Sequence, residues 1–378
     1  MDKKIIIISI FIGIAGWIAF FIAIYLNKKA KDDILKSITI EEKESLEPKI
    51  VVIGGGTGQS VFLRGLKKKA NNITAIVTVA DDGGGSGVLR EDLGMLPPGD
   101  IRNCLLALAN IEPTMREVMQ YRFTDGALKG QSFGNLFLAA MNGLYGNFEV
   151  ALYKMSQIFA ITGKVLPVTL KNINLIAELK NGKIVKGESK IPEEVKKYKT
   201  SIEKVYLDEQ NVKPLDEVIT SIENADIIIM GPGSLYTSII PNLLVDGVVD
   251  AIKKSKAPKV YICNIMTQPG ETDNYNVLEH VNVIVRHTNN NIIDYIISNN
   301  EVLGKEMLER YQNDGANQVL LDDEQRNKLR VMDIKCIEEN LIEIKNNYIR
   351  HDASHISDIV INLALRHNND KKLSKEGF

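Results

Sequence analysis

Only three cysteines occur among the 378 residues, Cys104, Cys263 and Cys336, far apart and without C-x-x-C spacing. Their scarcity excludes a disulfide scaffold and a cysteine-rich zinc site, and they read as ordinary buried thiols in a reducing compartment. The five histidines, His280, His287, His351, His355 and His367, show no ligand spacing with acids or cysteines, so no metal centre is expected from them. His351 and His355, one helical turn apart near the end of the chain, read as surface residues. The net charge of −2 lacks the basic excess that bulk binding to nucleic acid needs, and no nucleic-acid partner is expected. Two familiar nucleotide motifs are also missing. The P-loop pattern has no match, and G-x-G-x-x-G counted from Gly54 fails because position 59 is Gln59. A kinase or an NAD enzyme is therefore disfavoured. No G-x-S-x-G surrounds Ser234, which speaks against a serine hydrolase.

One long apolar run is present. Ile5–Leu26 gives 22 consecutive uncharged positions, long enough at about 1.5 Å per helical residue to cross a hydrocarbon core of roughly 30 Å. Without a convincing small-residue cleavage site behind it, residues 1–27 read as an uncleaved transmembrane anchor rather than a signal peptide. Lys28, Lys29 and Lys31 follow the span, against Lys3, Lys4 and Asp2 before it. This slight bias places a single-pass protein in the cell membrane with its main domain in the cytoplasm. Residues 28–48 are charged and read as a tether. Residues 49–366 are long enough for one large α/β domain, and 367–378 form a polar tail.

Two glycine-rich turns dominate that domain, VVIGGGTG at Val51–Gly58 and VADDGGGSG at Val79–Gly87, each ending a short apolar run. Glycine lets backbone N–H groups approach a ligand closely, and where such a turn feeds a helix the free N–H groups make a seat for phosphate. Gly55, Gly56 and Thr57 are the candidates for it. Asp81 and Asp82 open the second turn, where a carboxylate can hold a ribose hydroxyl, a cation or a proton. Arg102 and Asn103 follow Asp100, a predicted N-cap, and are candidates for the same crevice. Ser132, Asn135, Gly233 and Ser234 add polar groups at strand–helix junctions. Taken singly, each of these residues reads as a cap or a surface residue. Together they resemble the lining of a phosphate- or sugar-binding pocket.

Strands are predicted at Lys49–Ile53, Ile73–Val79, Asp226–Met230 and Lys259–Asn264, with weaker ones at Gln318–Leu321 and Val331–Lys335. Helices are predicted at Ser60–Lys69, Ile101–Asn110, Leu215–Asn224 and near His355–Arg366, with a long apolar one following Gly134-Asn135. Alternating elements of this kind argue for an α/β, doubly wound, mostly parallel sheet. Lys164–Thr169, Asn174–Leu179 and Lys183–Lys186, with the turn signal Asn181-Gly182, predict an antiparallel extension to that sheet. Ligands of such folds bind beyond the carboxyl ends of the strands, where the glycine-rich segments fall.

The segments VVIGGGTG, VTVADDGGGSG, LPPGDIRN, SFGNLFLAA, MGPGSLYTSIIPNLL and NIMTQPGETD, in this order between about Lys49 and Arg366, resemble the YvcK/CofD-like proteins and specifically their YvcK branch. The resemblance implies a Rossmann-like fold. It also implies a UDP-sugar-binding factor needed for growth on gluconeogenic carbon sources and for normal cell shape and wall synthesis. By motif, Gly55, Gly56 and Thr57 would face phosphate, and Asp81 or Asp82 the reacting or sugar-bearing end. Asn135 and the backbone near Gly233 and Ser234 would complete the site. A homo-oligomer is compatible with this reading. The related CofD branch consists of 2-phospho-L-lactate transferases that use a divalent metal. As such an enzyme the chain would carry Asp81 and Asp82 as catalytic residues and Mg²⁺ as cofactor. The chain departs from the family pattern at Gln131, where histidine is usual, at Gly85, where a second serine is usual, and at Val88, where arginine is common. These departures favour binding over catalysis.

Overall fold

The computed structural model describes residues 47–345 and 347–376. The Ile5–Leu26 run and the tether through residue 46 lie outside them. Among the described residues no single helix is long and apolar enough to cross a membrane.

Twelve strands occur among these residues. They begin with β1 (Ile50–Gly54), β2 (Ile73–Val77) and β3 (Lys164–Pro167), followed by β4 (Leu175–Leu179), β5 (Ile184–Lys186) and β6 (Ile202–Leu207). β7 (Ile227–Met230), β8 (Lys259–Ile262), β9 (Tyr295–Asn299) and β10 (Lys335–Glu339) come next, and β11 (Ile342–Lys345) and β12 (Tyr348–His351) close the series. Seven of them build a sheet in the order β10-β9-β8-β7-β1-β2-β3, and every neighbouring pair is parallel. The inner strands IVVIG and IIIM are buried at every position. Such continuous β-branched runs suit a parallel sheet covered on both faces. Chain order runs outward from β1 through β2 to β3 on one side and from β7 to β10 on the other. The direction of winding therefore reverses between β1 and β7, and the doubly wound, mostly parallel α/β architecture is as expected.

Gln59 explains why the dinucleotide fingerprint fails at that position. It is fully buried, and its Nε2 donates to Val52 O at 3.0 Å and to Ile76 O at 3.2 Å, tying β1 to β2. The Cys104 thiol donates to its Oε1. Glycine there would forfeit these bonds.

Several local expectations need correction. β4, β5 and β6 do pair antiparallel, but they form their own three-stranded sheet rather than extending the main one. Lys164–Pro167, grouped with them from sequence, instead lies parallel to β2 at the main sheet's edge. Helices Phe133–Tyr145 and Phe148–Ile158 provide the long crossover that a parallel partner requires. The stretch between Asp81 and Asp100 is not all loop, since Gly84–Leu93 is helical despite its glycines. Gly87 is needed there, because a Cβ would lie 2.1 Å from Asp82 O. Gln318 makes a single bridge to Met266 rather than starting a strand. Val331–Lys335 divides between the end of helix Asp323–Val331 and the start of β10. The C-terminal helix runs Ala353–Glu376, so the polar tail from His367 is helical for most of its length. Its first turns pack so closely on helix Gly56–Leu66 that a Cβ at Gly65 would come within 2.7 Å of the Ala353 side chain.

Candidate functional site

β1 ends at Gly54, and the chain turns through Gly55 into helix Gly56–Leu66. Gly56 sits at φ +67°, a conformation that side-chain-bearing residues avoid. Its N-cap, Gly55, brings no side-chain cap, and its first turn carries no acid. The Asp100 carboxyl takes the Gly56 N–H, and the positive end of the helix dipole favours a further anion at the N–H groups that follow. β7 ends in the second wall, Gly231-Pro232-Gly233-Ser234, which leads into a single π-helical turn at Leu235–Ile239, a form often found at functional sites. The two turns meet at the switch point between β1 and β7. A Cβ on Gly58 would lie 2.7 Å from Pro232 O, and one on Gly233 would lie 3.4 Å from Gly55 O.

Between the turns opens a cavity of about 370 Å³. Gly55–Gly58 and Pro232–Ser234 form one side of it, and Asn264–Gln268, beyond the end of β8, forms the floor. Tyr311, Arg350 and His351 close the far side. Gln268 Nε2 donates to Ser234 Oγ at 2.6 Å, and Asn264 Nδ2 donates to Gln268 Oε1 at 3.0 Å. Asn264 Oδ1 is buried without a hydrogen-bond partner. His351, expected on the surface, is instead held in this wall with Nε2 3.0 Å from Cys263 O. Burial lowers its pKa, so the ring is neutral and Nε2 carries the proton it donates. His280 and His287 are also kept neutral, His280 by burial that lowers its pKa to about 4.

Beside the seat lies a group of carboxyls. Asp100 was expected as an N-cap, but Pro97 takes that position and Asp100 falls in the first turn of helix Pro98–Leu108. Its Oδ2 would be 2.9 Å from a Cβ on Gly55, so this carboxyl lies against the first glycine turn itself. Burial and the neighbouring Asp81 raise its pKa to about 7, opposed by the Gly56 N–H. Burial likewise raises Asp81, against the hydrogen bond it accepts from Gly83 N–H at 2.9 Å. Glu188 is pushed to about 8 by burial and by Asp81 and Glu271, and Glu271 to about 7 by burial. Thr237 Oγ1 stands 3.5 Å from both Glu271 oxygens. Each carboxyl is desolvated by the fold and resists ionising next to the others.

Of the residues singled out from sequence, Gly55, Gly56, Thr57, Gly233 and Ser234 line the cavity, and Asp81 belongs to the acidic group beside it. Asp82 does not share that place. It accepts from Ser189 N–H at 2.9 Å and borders a separate polar cavity with Arg90 and Lys190. Arg102, Asn103, Ser132 and Asn135 bond among themselves and line none of these cavities. Arg102 donates to Ser132 Oγ at 2.6 Å and to Asn103 Oδ1 at 2.7 Å. Ser132 caps helix Phe133–Tyr145 by accepting from Asn135 N–H at 3.2 Å. Burial lowers the Arg102 pKa to about 10, while Asp100 nearby partly sustains its charge. Glu188, Glu271, Tyr311 and Arg350 were not singled out. Glu271 lies within NIMTQPGETD, so its motif was visible although its role was not. For Tyr311 and Arg350 no local signal existed.

A sequence model of the family described as 2-phospho-L-lactate transferase CofD matches residues 50–342. A relative from Thermoanaerobacterium thermosulfurigenes is 58% identical over 316 residues, covering 84% of this chain and 97% of that protein. The gluconeogenesis factor of Bacillus subtilis is 46% identical over 318 residues, with 84% and 98% covered. Among solved structures, a UPF0052-family protein from Bacillus halodurans is similar with a TM-score of 0.78 and 44% identity, over 82% of this chain and 98% of that one.

Proposed function

The chain belongs to the CofD/YvcK family, in its gluconeogenesis-factor branch, and from that premise we propose that it binds a UDP-sugar in the crevice between β1 and β7. The observation that carries this reading is the pair of opposed glycine turns at the switch point, one of them opening a helix whose N-cap is a glycine. The diphosphate would rest on Gly55–Thr57 with Gly233 opposite, and Arg350 at the cavity wall offers a counter-charge. The unpaired Asn264 Oδ1 suits an imide N–H such as uracil carries. Bound ligand would serve as a signal for wall synthesis and for growth on gluconeogenic carbon sources.

Calorimetric titration tests this directly. UDP-sugars should bind, and NAD or GDP-linked compounds should bind more weakly or not at all. The two aspartates should then part company. Asp81→Asn is expected to preserve or raise affinity by removing a charge beside the diphosphate. Asp82→Asn should leave affinity unchanged and cost at most about 1 kcal/mol through its bond to Ser189. A tighter complex with NAD would reject the ligand class.

The raised pKa values of Asp100 and Glu188, near 7 and 8, favour a second reading as a transferase, because such groups exchange protons readily at neutral pH. Magnesium is commonly held by one or two carboxylates together with substrate phosphates, so the ligand itself would have to complete such a site here. Among the described residues no three acids, histidines or cysteines are placed to hold a metal ion, and no step is derived through one. Metal-dependent release of a nucleoside monophosphate in the presence of an acceptor would establish this reading in place of the first.

Residues 1–27 as a membrane anchor, with the main domain in the cytoplasm, remain part of the proposal. Full-length protein should stay with the membrane through carbonate washing, and a C-terminal alkaline phosphatase fusion should be inactive. Recovery in the soluble fraction would reject the anchor, and an active fusion would reject the orientation.

A further inference from the structure

We propose that Arg64, Lys67 and Arg116 form a second anion site, for a phosphate monoester dianion, at the end of helix Gly56–Leu66 opposite the crevice. Lys67 is the C-cap of that helix, and its Nζ donates to Ala109 O at 2.5 Å. Arg116 Nη2 reaches the same carbonyl at 3.4 Å. Ala109 is itself the C-cap of helix Pro98–Leu108, so the shared acceptor sits at the negative end of a helix dipole.

One cation satisfies that carbonyl, yet the fold assembles three. Lys67 is pushed down to about 8 by burial and then by Arg116, Arg64 and Lys68. Arg64 is lowered by burial and by Arg116. Among the described residues none of Arg64, Lys67, Lys68 or Arg116 forms an ion pair with an acid. The Nε atoms of Arg64 and Arg116 are buried without a hydrogen-bond partner. Holding like charges together with no acid ion-paired to any of them is unfavourable until a counter-charge arrives from outside.

The number and kind of groups select that counter-charge. A single carboxylate neutralises one cation of three. A phosphate monoester brings close to two negative charges and three acceptor oxygens, matching two guanidinium forks and an ammonium. The site is independent of the nucleotide reading. The 11-residue helix puts it about 16 Å from the glycine seat, at about 1.5 Å per residue. The same group is carried by free phosphate, by small metabolites and by the headgroup of a phosphatidate lipid.

Pulse-labelling of the full-length protein in detergent with an amine-acylating reagent at pH 8, mapped by mass spectrometry, reads the site through Lys67. Bound phosphate should restore the Lys67 ammonium and slow its labelling at least about fivefold relative to chloride of equal ionic strength, since raising a pKa of about 8 by one step cuts the free amine at pH 8 from about half to about a tenth. The exposed Lys253 should label equally in both. Arg116→Gln should remove the protection. Glycerol 3-phosphate and dihexanoyl phosphatidate separate the sources: equal protection assigns a soluble monoester, and stronger protection by the phosphatidate assigns a headgroup. Equal labelling of Lys67 in phosphate and chloride, or protection that survives Arg116→Gln, would overturn the proposal.

Discussion

Replacing Gly58 by alanine is expected to abolish nucleotide-sugar binding at concentrations that saturate the parent protein, and to destabilise the domain by about 1–3 kcal/mol. The added Cβ would stand 2.7 Å from Pro232 O, 3.0 Å from Pro232 C and 3.1 Å from Gly233 Cα. All three are backbone atoms of the opposite wall, so no side chain can swing aside to relieve the contact. The turns must separate, and that separation moves the N–H groups on which a diphosphate would rest. Gly143→Ala is the control. It lies inside helix Phe133–Tyr145 with nothing within 4 Å of the methyl that alanine would add, and should stabilise by up to about 1 kcal/mol while leaving affinity intact. Denaturant unfolding with calorimetric titration measures both quantities. Parent-like affinity in Gly58→Ala would show that the two turns are not the walls of the binding site.

Affinity for the same ligand should fall at least tenfold between pH 6 and pH 9. The diphosphate of a nucleotide sugar keeps its negative charge throughout that range and the uracil imide N–H begins to ionise only at its upper end, so the fall between pH 6 and pH 8 comes from the protein. Asp100 and Glu271, at about 7, and Glu188, at about 8, are largely protonated at pH 6 and ionised at pH 9. Each ionisation adds a negative charge beside the phosphate seat. Stability should follow the same direction. These folded-state pKa values lie above those of the unfolded chain, so the folded state holds more protons between about pH 4 and pH 8. The resulting stabilisation is fully present below the unfolded carboxyl pKa and is lost as pH rises through 7 to 8. For Asp100 the shift from 3.8 to about 7 corresponds to at most about 4 kcal/mol. Asp100→Asn keeps an acceptor for the Gly56 N–H and removes the ionisation, so it should flatten both profiles and gain stability at pH 9. Affinity that stays level or rises with pH would show that these carboxyls do not face the ligand.

The strand-then-glycine pattern of VVIGGGTG was sufficient to locate β1 and the turn into the helix behind it, because a buried β-branched run that stops at glycine reads as a parallel strand ending in a turn. Ser132 could be read as a cap from its place before an apolar helix, and it is one. Elements whose composition opposed their structure were harder to read. Helix Gly84–Leu93 begins in glycines that disfavour helix, and tertiary contacts override that propensity. β3 resembled its antiparallel neighbours because a short strand carries no mark of the partner it will choose.

The sequence by itself determined the strands β1, β2, β7 and β8, the doubly wound parallel class and the two glycine turns, since all of these follow from local spacing and backbone freedom. Only the tertiary structure decided which residues meet. The β1 and β7 ends are far apart in the chain, joined at their start by a bond from Lys49 N–H to Asp226 across 177 residues. Asp100, Glu188 and Glu271 come from three separate segments and perturb one another only once folding has taken them out of water. Arg350 and His351 reach the cavity on a C-terminal hairpin beyond the reach of any motif. Hydrophobic periodicity reports which face of an element is buried. The neighbour against which it is buried is set by strand order, a long-range property that no local pattern encodes.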